Sequence, residues 1–498
     1  MMFEARRQHP VAALTSSLKV VREHIIKIIL IYLVGGQQSQ STFFSLTGIG
    51  ILLGVLLLWG ILSWFRFTYR VEEGSLKIEY GVLVHKKLDI PSQRIQVIDV
   101  SSGIIQRIFG LVSLKVQTAG QSSEETEISA ITRDEADRIQ NDLRVDTEVE
   151  KGSQEESSFE GSSRKMSLKR LVTAGLTSGS IGVALSIIGT ILSQLNDVLA
   201  ETRIYEQMTN YFESVAGMLI TLVILMLLGG LLLAFLGTLI RYADFSIKRK
   251  NDELVISRGL FERKQMTIPL NRIQSIRLVE GILRQPFGLL SLQVDSAGYA
   301  GEEGTSTELF PLLKRSEVEP FIRDMLPEFD VKAKTDMPPL RASRRFIIVL
   351  AVPVLLGVAA LTYYGVAGYW VFGLLPVVAG WGWLRYLDTA IGCSEEMAVM
   401  RYRRLSRTTV MIPRKRIQRI TFEQNPLQKR GNVSDVILTV ASGRTGASFQ
   451  VQHMDQSVED WLPTWLFNRL GLENRSLYEK QFRNRKVLPN FAVYDQME

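Results

Sequence analysis

The chain has few of the residues that build disulfide frameworks or metal centres. Its 498 residues include one cysteine, Cys393, and four histidines, which lie far apart at positions 9, 24, 85 and 453. A disulfide scaffold is therefore excluded, and no local spacing assembles a His/Cys metal cluster. The Gly-x-x-x-x-Gly-Lys-Ser/Thr, Gly-x-Ser-x-Gly, His-Glu-x-x-His and Cys-x-x-Cys motifs are also missing. We predict no catalytic residues, no metal, no cofactor and no enzymatic activity.

Ionisable residues are absent from long apolar stretches of the chain, although 22% of all residues are charged. A charged side chain near the centre of a bilayer costs about 2.5–3.5 kcal/mol, and about 20 apolar residues cross its hydrocarbon core. Two uncharged stretches, 28–65 and 346–384, are each long enough for two helices, and a looser pair covers 171–193 and 215–240. We predict three transmembrane hairpins, at 20–65, at 170–240 with an outer loop at 194–214, and at 346–384.

Basic residues flank these hairpins on one side. Arg66, Arg241 and Arg385 follow the second helix of each pair, whereas the three hairpin turns contain one basic residue, Arg203. By the positive-inside rule, both termini and all large polar segments are predicted to be cytoplasmic. The sequence thus predicts a multi-pass protein of the cell membrane.

The polar segments that follow the hairpins form an internal repeat, with modules at 66–145, 241–327 and 385–470. Each contains an Ile-Pro-x-x-Arg-Ile-Gln signature, and the first two also share a Gly-x-x-x-x-x-Phe-Gly-Leu-x-Ser-Leu run at the same offset. The third module has Arg430-Gly431 in place of Phe-Gly. The signature residues, which we interpret as structural, are Pro91, Arg94, Gln96, Pro269, Arg272, Gln274, Pro413, Arg416 and Gln418.

Each module is predicted to be β-rich and to end in one helix. Alternation of apolar and polar residues, as in Leu76–Tyr80, indicates half-buried strands. We place the three prolines at a strand start, followed by a β-bulge where the apolar spacing changes from three to two. Capping boxes at Thr132, Ser316 and Ser457 predict the closing helices. A flexible acidic linker at 146–165, a stiffer linker at 328–345 and a tail at 471–498 complete the organisation.

These motifs resemble the bacterial pleckstrin-homology membrane proteins of the YdbS/YdbT type. The resemblance covers nearly the whole chain and implies α-helical membrane hairpins alternating with three PH-like β-barrels, each of seven strands and a closing C-terminal helix. It also implies a complex with a smaller single-module PH-domain membrane protein, plausibly in envelope maintenance. It does not imply a known reaction.

A cluster of basic residues in the third module is the candidate binding site. This module has 13 basic and 8 acidic residues, and we hypothesise that its cluster contacts anionic lipid, to which each basic residue near the surface contributes about 1 kcal/mol. A solvated basic strand pair that only obeys the positive-inside rule is the alternative. Nucleic acid is not expected, because surface aromatics are not interleaved with the charges. The cluster comprises Arg401, Arg403, Arg404, Arg407, Arg414, Lys415, Arg416 and Arg419.

The function predicted from these features is a non-enzymatic scaffold or interaction protein at the membrane surface. Membrane lipids and the smaller PH-domain protein are its expected partners. A lipid-handling or transporter-accessory role is the alternative, and a polar or ionisable lining inside the helix bundle would favour it.

Overall fold

The computed structural model describes residues 6–15, 17, 46–72, 74–118, 126–148, 162–177, 215–297, 306–329, 335–364, 372–442 and 446–467. These residues fall into two compact units, Met1–Arg164 with Ala243–Ile268 and Lys165–Tyr242 with Pro269–Glu498. The division therefore runs through the second module. Most of the predicted first helix of each of the first two hairpins, the outer loop at 194–214, most of the acidic linker and the tail lie outside the described residues.

The first unit contains the whole first module and the opening strands of the second. Two sheets and a helix enclose the core of the first module, which supports the prediction of a small capped barrel. In chain order the elements are β1 (Arg6–Arg7), α1 (Leu46–Phe65), β2 (Thr68–Glu72), β3 (Ser75–Tyr80), β4 (Lys86–Pro91), β5 (Ile95–Ser102), α2 (Ile104–Ile108), β6 (Leu111–Thr118), β7 (Thr126–Thr132), α3 (Arg133–Glu148), β8 (Ser163–Lys165, which reaches the unit boundary), β9 (Ser246–Lys250), β10 (Glu253–Arg258) and β11 (Arg263–Pro269).

The core of the first module follows from the two side-chain periodicities. Leu76 and Ile78 alternate along β3 and are fully buried, as a strand period of two requires. Ala136, Ile139 and Leu143 form one stripe of α3 and pack in the same hydrophobic cluster. The hydroxyl of Thr132 accepts a hydrogen bond from the Glu135 amide at 3.4 Å, which confirms the predicted start of this helix.

The second unit contains the rest of the second module and the whole third module. The third module encloses a core of its own, built by β15–β20 and the closing helix α10. The elements are α4 (Leu168–Leu176), α5 (Val215–Tyr242), β12 (Ile273–Glu280), β13 (Leu289–Ser296), β14 (Thr307–Lys314), α6 (Val318–Met325), α7 (Leu340–Tyr363), α8 (Leu374–Leu387), β15 (Ala390–Cys393), β16 (Met397–Arg403), β17 (Arg407–Pro413), β18 (Ile417–Glu423), α9 (Pro426–Arg430), β19 (Val433–Val440), β20 (Ala447–Asp455) and α10 (Val458–Phe467).

The predicted β-bulge is present in all three modules. The pairing register shifts between Ile95 and Val97 in β5, between Ile273 and Ser275 in β12, and between Ile417 and Arg419 in β18. The three modules therefore share this structural feature as well as the sequence motif.

Two details of the prediction were wrong. The prolines end β4, β11 and β17 instead of starting the next strand, and a 3-10 turn follows each of them. Proline lacks an N–H, and its φ near −60° suits the step from an extended strand into that turn. The second correction concerns Ser316, because the hydrogen bond at this helix start runs from the Lys314 backbone amide to the Glu317 carboxylate at 3.3 Å.

A short strand that precedes each hairpin also pairs with the first strand of the module that follows it. In the first module β1 pairs with β2, and in the second β8 lies beside β9. In the third the pairing is reduced to a bridge between Asp336 and Ile391. With six consecutive strands per module, this addition gives the first two modules seven strands.

One described helix, α7, is long and apolar enough to cross a bilayer, and only 11% of its most apolar 18-residue window is buried. The C-terminal part of α5, Leu227–Tyr242, is a shorter apolar helix. Leu228, Leu356 and Val377 illustrate the exposed apolar side chains of α5, α7 and α8. The three predicted helix pairs thus remain a prediction.

Candidate functional site

Consecutive modules share β-sheets. Strand β5 of the first module pairs antiparallel with β11 of the second, which gives a seven-stranded sheet in the order β7-β6-β5-β11-β10-β9-β8. Strand β12 of the second module pairs in the same way with β17 of the third, in a six-stranded sheet with the order β14-β13-β12-β17-β16-β15. We call these two pairings the first and second junctions.

The two junctions have the same register. Ser102 lies opposite Arg263 at the first, and Glu280 lies opposite Arg407 at the second. These residues occupy equivalent positions of the repeat, because each lies the same distance from the signature proline of its module. Both ladders also stop before the proline, at Met266 and Met411. The sequence repeat therefore encodes a repeated way of joining modules.

A buried ion network stabilises the second junction. The Arg407 guanidinium donates to both carboxylate oxygens of Glu280, through Nε at 3.1 Å and through Nη2, and its Nη1 lies 3.5 Å from Asp388. Burial alone lowers the pKa of Arg407, but the hydrogen bonds and charges of Glu280 and Asp388 outweigh it and raise that pKa overall. Arg407 therefore stays charged and fixes the edge of β17 to the end of β12.

Arg403 completes this network from the neighbouring strand. Its side chain is only 4% exposed, and its Nε donates to Asp388 at 2.5 Å. Its Nη2 donates to Gln285 of the second module at 2.7 Å, and its guanidinium lies 5.5 Å from the ring centroid of Trp381 in α8. This single side chain therefore contacts both modules and the adjoining apolar helix.

A second ion pair, within the second module, lies beside the same junction. Arg277 of β12 donates through Nε to the buried carboxylate of Asp295 at 2.7 Å, and Ser275 donates to the same group. The guanidinium of Arg277 lies 4.7 Å from the centroid of Phe449, which belongs to the core of the third module. The cores of the two modules are thus bridged by side chains as well as by backbone.

The predicted basic cluster is divided by the structure. Arg403 and Arg407 belong to the junction, and Arg416 donates to the Asn271 carbonyl of the second module. Arg414 donates to the Leu466 carbonyl at 2.9 and 3.1 Å and lies over Trp465. Arg401 is half-buried, and burial lowers its pKa. Three members are exposed on the surface of the third module, namely Arg404, Lys415 and Arg419.

The signature residues lie around the 3-10 turn that follows each proline. Arg94, Arg272 and Arg416 each end that turn, and Arg94 is exposed. Gln274 is buried and donates to the Arg272 carbonyl at 3.0 Å, whereas Gln418 is exposed. The side chain of Gln96 lies outside the described residues. The structural role of these signature residues stays a prediction.

Glu280, Asp388 and Gln285 are the junction residues that the sequence analysis missed. The available signal was weak, since Glu280 is equivalent to Ser102 and Gln424 and is therefore acidic in one module only. Its position opposite Arg407 becomes visible only once the junction register is known. Among the described residues, no group of three or more His, Cys, Asp or Glu side chains could hold a metal ion.

Comparisons with known proteins agree with this organisation. The family model described as Bacterial PH domain matches residues 28–146, 185–328 and 345–462. The chain is 31% identical over 490 residues to the UPF0699 transmembrane protein YdbT of Bacillus subtilis (strain 168), covering 93% of this chain and 98% of that protein. It is also 28% identical over 102 residues to the UPF0699 transmembrane protein YdbS of the same organism, covering 19% of this chain and 62% of that protein.

Proposed function

The chain belongs to the bacterial PH domain family, and from this premise we propose that it is a polytopic membrane protein whose three PH-like modules act as a cytoplasmic scaffold at the membrane surface. The observation that carries this proposal is the repeated junction, in which β5–β11 and β12–β17 join modules in one register. A backbone ladder fixes the spacing and orientation of the strands that it joins, whereas a flexible linker does not. Fixed spacing between binding modules is the property that a scaffold needs.

Membrane attachment through three hairpins is part of the same proposal. A core helix of a water-soluble protein buries its apolar face, but α7 leaves nearly all of its most apolar window exposed. Lipid is the natural solvent for such a surface. The basic residues that flank the hairpins support a cytoplasmic location for the modules and both termini.

The proposed protein partner is a smaller single-module PH-domain protein, and the sheet order suggests where it docks. Strand β18 of the third module is equivalent to β5 and β12, but it lies at the end of the sheet β18-β19-β20. Among the described residues it pairs only with β19, and five of its seven residues are less buried than their equivalents in β12. An exposed edge of this kind accepts a strand from another chain.

The open edge at the other end of the repeat fits a partner less well. Strand β4 is equivalent to β11 and β17 and also lies at the end of its sheet. It carries Lys87 and Asp89 in the middle of the strand, and charges along an edge discourage pairing, whereas the charges of β18 lie at its bulge, Arg419, and at its last residue, Glu423. β18 keeps the Ile-Gln-x-Ile pattern of the strands that form junctions. We therefore place the smaller PH module, presenting a β17-type strand, at β18.

Photo-crosslinking in native membranes tests this placement. A benzoylphenylalanine residue at Thr421, the equivalent of Arg277 in the second junction, is expected to form an adduct with a single-module PH protein. Peptide mapping should place the adduct in the strand that ends at the partner's Ile-Pro signature, as the shared register requires. The same probe at Lys87 on β4 is the matched control and should not label that protein.

The possible outcomes separate the docking surface from the scaffold. An adduct with a second copy of the chain, or with lipid alone, would show that β18 does not receive the smaller protein. Co-purification of a single-module protein that crosslinks elsewhere would refute the placement and leave the partnership intact. If no single-module PH protein co-purifies at all, the proposed partnership is wrong.

Anionic lipid is the other proposed ligand of the third module. Arg404, Lys415 and Arg419 are the members of the basic cluster that the structure leaves exposed. We propose that Arg404 and Lys415 meet the headgroups, although Lys415 also forms an exposed ion pair with Glu328 at 3.3 Å. Arg419 lies on the docking strand β18, and Arg403 and Arg407 hold the second junction.

A further inference from the structure

Each module exposes large apolar side chains in one segment, which follows β5 in the first module, β12 in the second and β18 in the third. Ile108 is 74% exposed, Phe287 is 71% exposed and Leu427 is 69% exposed. Single exposed apolar residues are common, but here they recur at one place in three modules that are otherwise rich in charge. We call these segments, 104–109, 282–287 and 426–430, the apolar loops.

A second set of exposed apolar residues occupies the turns between β3 and β4, between β10 and β11, and between β16 and β17. Leu83 is 84% exposed, and Phe261 and Leu405 are the corresponding exposed residues of the other two modules. Gly81 and Gly259 open the first two of these turns with φ of +112° and +111°, and a Cβ at either would lie 2.0 Å from a carbonyl oxygen across the turn. The backbone of both turns therefore requires glycine at these positions.

The apolar loops lie at the bases of apolar helices. Next to the first loop, Trp64 in the last turn of α1 packs against the hydrophobic cluster that contains Leu111. In the second loop, Arg284 donates to the Ala174 carbonyl of α4 at 3.4 Å. Beside the third loop, Arg341 at the start of α7 donates to the Gly431 carbonyl at 2.9 Å.

The turn of the third module is also close to a helix. Arg403, which precedes Leu405, contacts Trp381 of α8. Both kinds of exposed apolar segment thus lie where the chain passes between a module and a helix of a hairpin.

Basic residues stand beside the apolar ones in the first and third modules. Arg107 precedes Ile108, Arg404 precedes Leu405, and Lys429 follows Leu427 by two positions, and all three basic side chains are exposed. A cation next to an apolar side chain suits the bilayer interface, where phosphates lie above the first methylene groups of the acyl chains.

We infer that the apolar loops and turns insert into the headgroup region of the bilayer. This inference rests on the proposed membrane anchoring and adds a second, peripheral contact between each module and the same leaflet. Insertion removes Ile108, Phe287, Leu405 and their equivalents from water, while the adjacent cations meet anionic phosphates. The contact would hold the modules against the membrane instead of leaving them suspended below it.

Depth-dependent fluorescence quenching tests the inference in the full-length chain. Phe261→Cys and Phe287→Cys, each in a Cys393→Ser background, are labelled with an environment-sensitive nitrobenzoxadiazole probe and reconstituted into vesicles of phosphatidylcholine and phosphatidylglycerol. Both probes should show blue-shifted emission and should lose intensity when the lipids carry a spin label near the headgroup. Asp252→Cys is the matched control, because this exposed residue lies at the opposite end of β10 from Phe261.

Vesicle flotation makes the outcomes distinguishable. If the protein floats with the vesicles but the probes at positions 261 and 287 behave like the probe at 252, the inference is overturned and the anchoring stands. If the protein does not float, the proposed anchoring itself fails. Quenching at 261 and 287 but not at 252 supports insertion.

Discussion

Removal of Arg407 should loosen the second junction far more than the same change at the equivalent position loosens the first. In Arg407→Ala, the Glu280 carboxylate, whose side chain is 6% exposed, loses its bidentate partner. Breaking a buried ion pair from one side costs about 3–5 kcal/mol, and the 21% exposure of Arg407 favours the lower end. A loss of about 3 kcal/mol corresponds to roughly a hundredfold loss of local protection.

Arg263→Ala supplies the matched comparison. Arg263 has the same repeat position, but it faces Ser102 and its ion pair with Asp244 is 53% and 71% exposed. Exposed pairs contribute about 0–1 kcal/mol, so protection at the first junction should fall by less than about fivefold.

Amide hydrogen exchange followed by mass spectrometry is the appropriate assay, because a chain of several modules does not give a single two-state unfolding free energy. The exchange of β12 and β17 peptides is compared between wild type and Arg407→Ala, and that of β5 and β11 peptides between wild type and Arg263→Ala. The double variant Glu280→Gln/Arg407→Ala should lose less protection than the sum of the two single variants, since no unpaired carboxylate remains. Equal effects of Arg407→Ala and Arg263→Ala, or additive effects in the double variant, would refute the role assigned to the buried pair.

Three further predictions follow from the sequence and the structure. In Gly259→Ala an added Cβ meets the Glu262 carbonyl at 2.0 Å, whereas in Gly288→Ala it meets nothing within 4 Å, so β10 and β11 peptides of Gly259→Ala should lose more hydrogen-exchange protection than β13 peptides of Gly288→Ala; equal losses would contradict this. Burial lowers the pKa of His453, so the unfolded chain takes up a proton before the folded one, and the stability of the third module should fall as pH drops below about 6.5; His453→Gln should flatten this slope when the protection of its peptides, corrected for the intrinsic exchange rate, is followed across pH. In intact cells, an impermeant thiol reagent should label single cysteines at positions 38, 206 and 365 but not those at 124, 302 and 443, and labelling of any of the last three would overturn the proposed orientation.

The local features of this fold could be predicted from the sequence, and the long-range ones could not. The step of three between Ile95 and Ile98 indicated the bulge because side-chain parity in a strand is strict. The prediction that Pro91 starts a strand was wrong. A proline, which lacks an N–H and has a φ near −60°, suits equally well the last residue of a strand that leads into a 3-10 turn. The junctions involve residues more than a hundred positions apart, and no local pattern specifies which edge strand meets which.

The candidate site could also be predicted only in part from the sequence. Counting charges singled out Arg403 and Arg407 together with Arg404, since all three are alike in sequence. Only the three-dimensional structure separates the two that neutralise Asp388 and Glu280 from the one that faces solvent.

The shared sheets have a consequence for biosynthesis. Glu280 and its partner Arg407 are 127 residues apart, and the interval contains α7 and α8. At about 5–20 residues per second, a ribosome needs roughly 6–25 s to make it. During that time the β12 edge has left the ribosome without its partner strand, and an open edge of this kind invites pairing with other nascent chains. The time needed to synthesise this interval thus determines how long the half-built sheet stays at risk of aggregation.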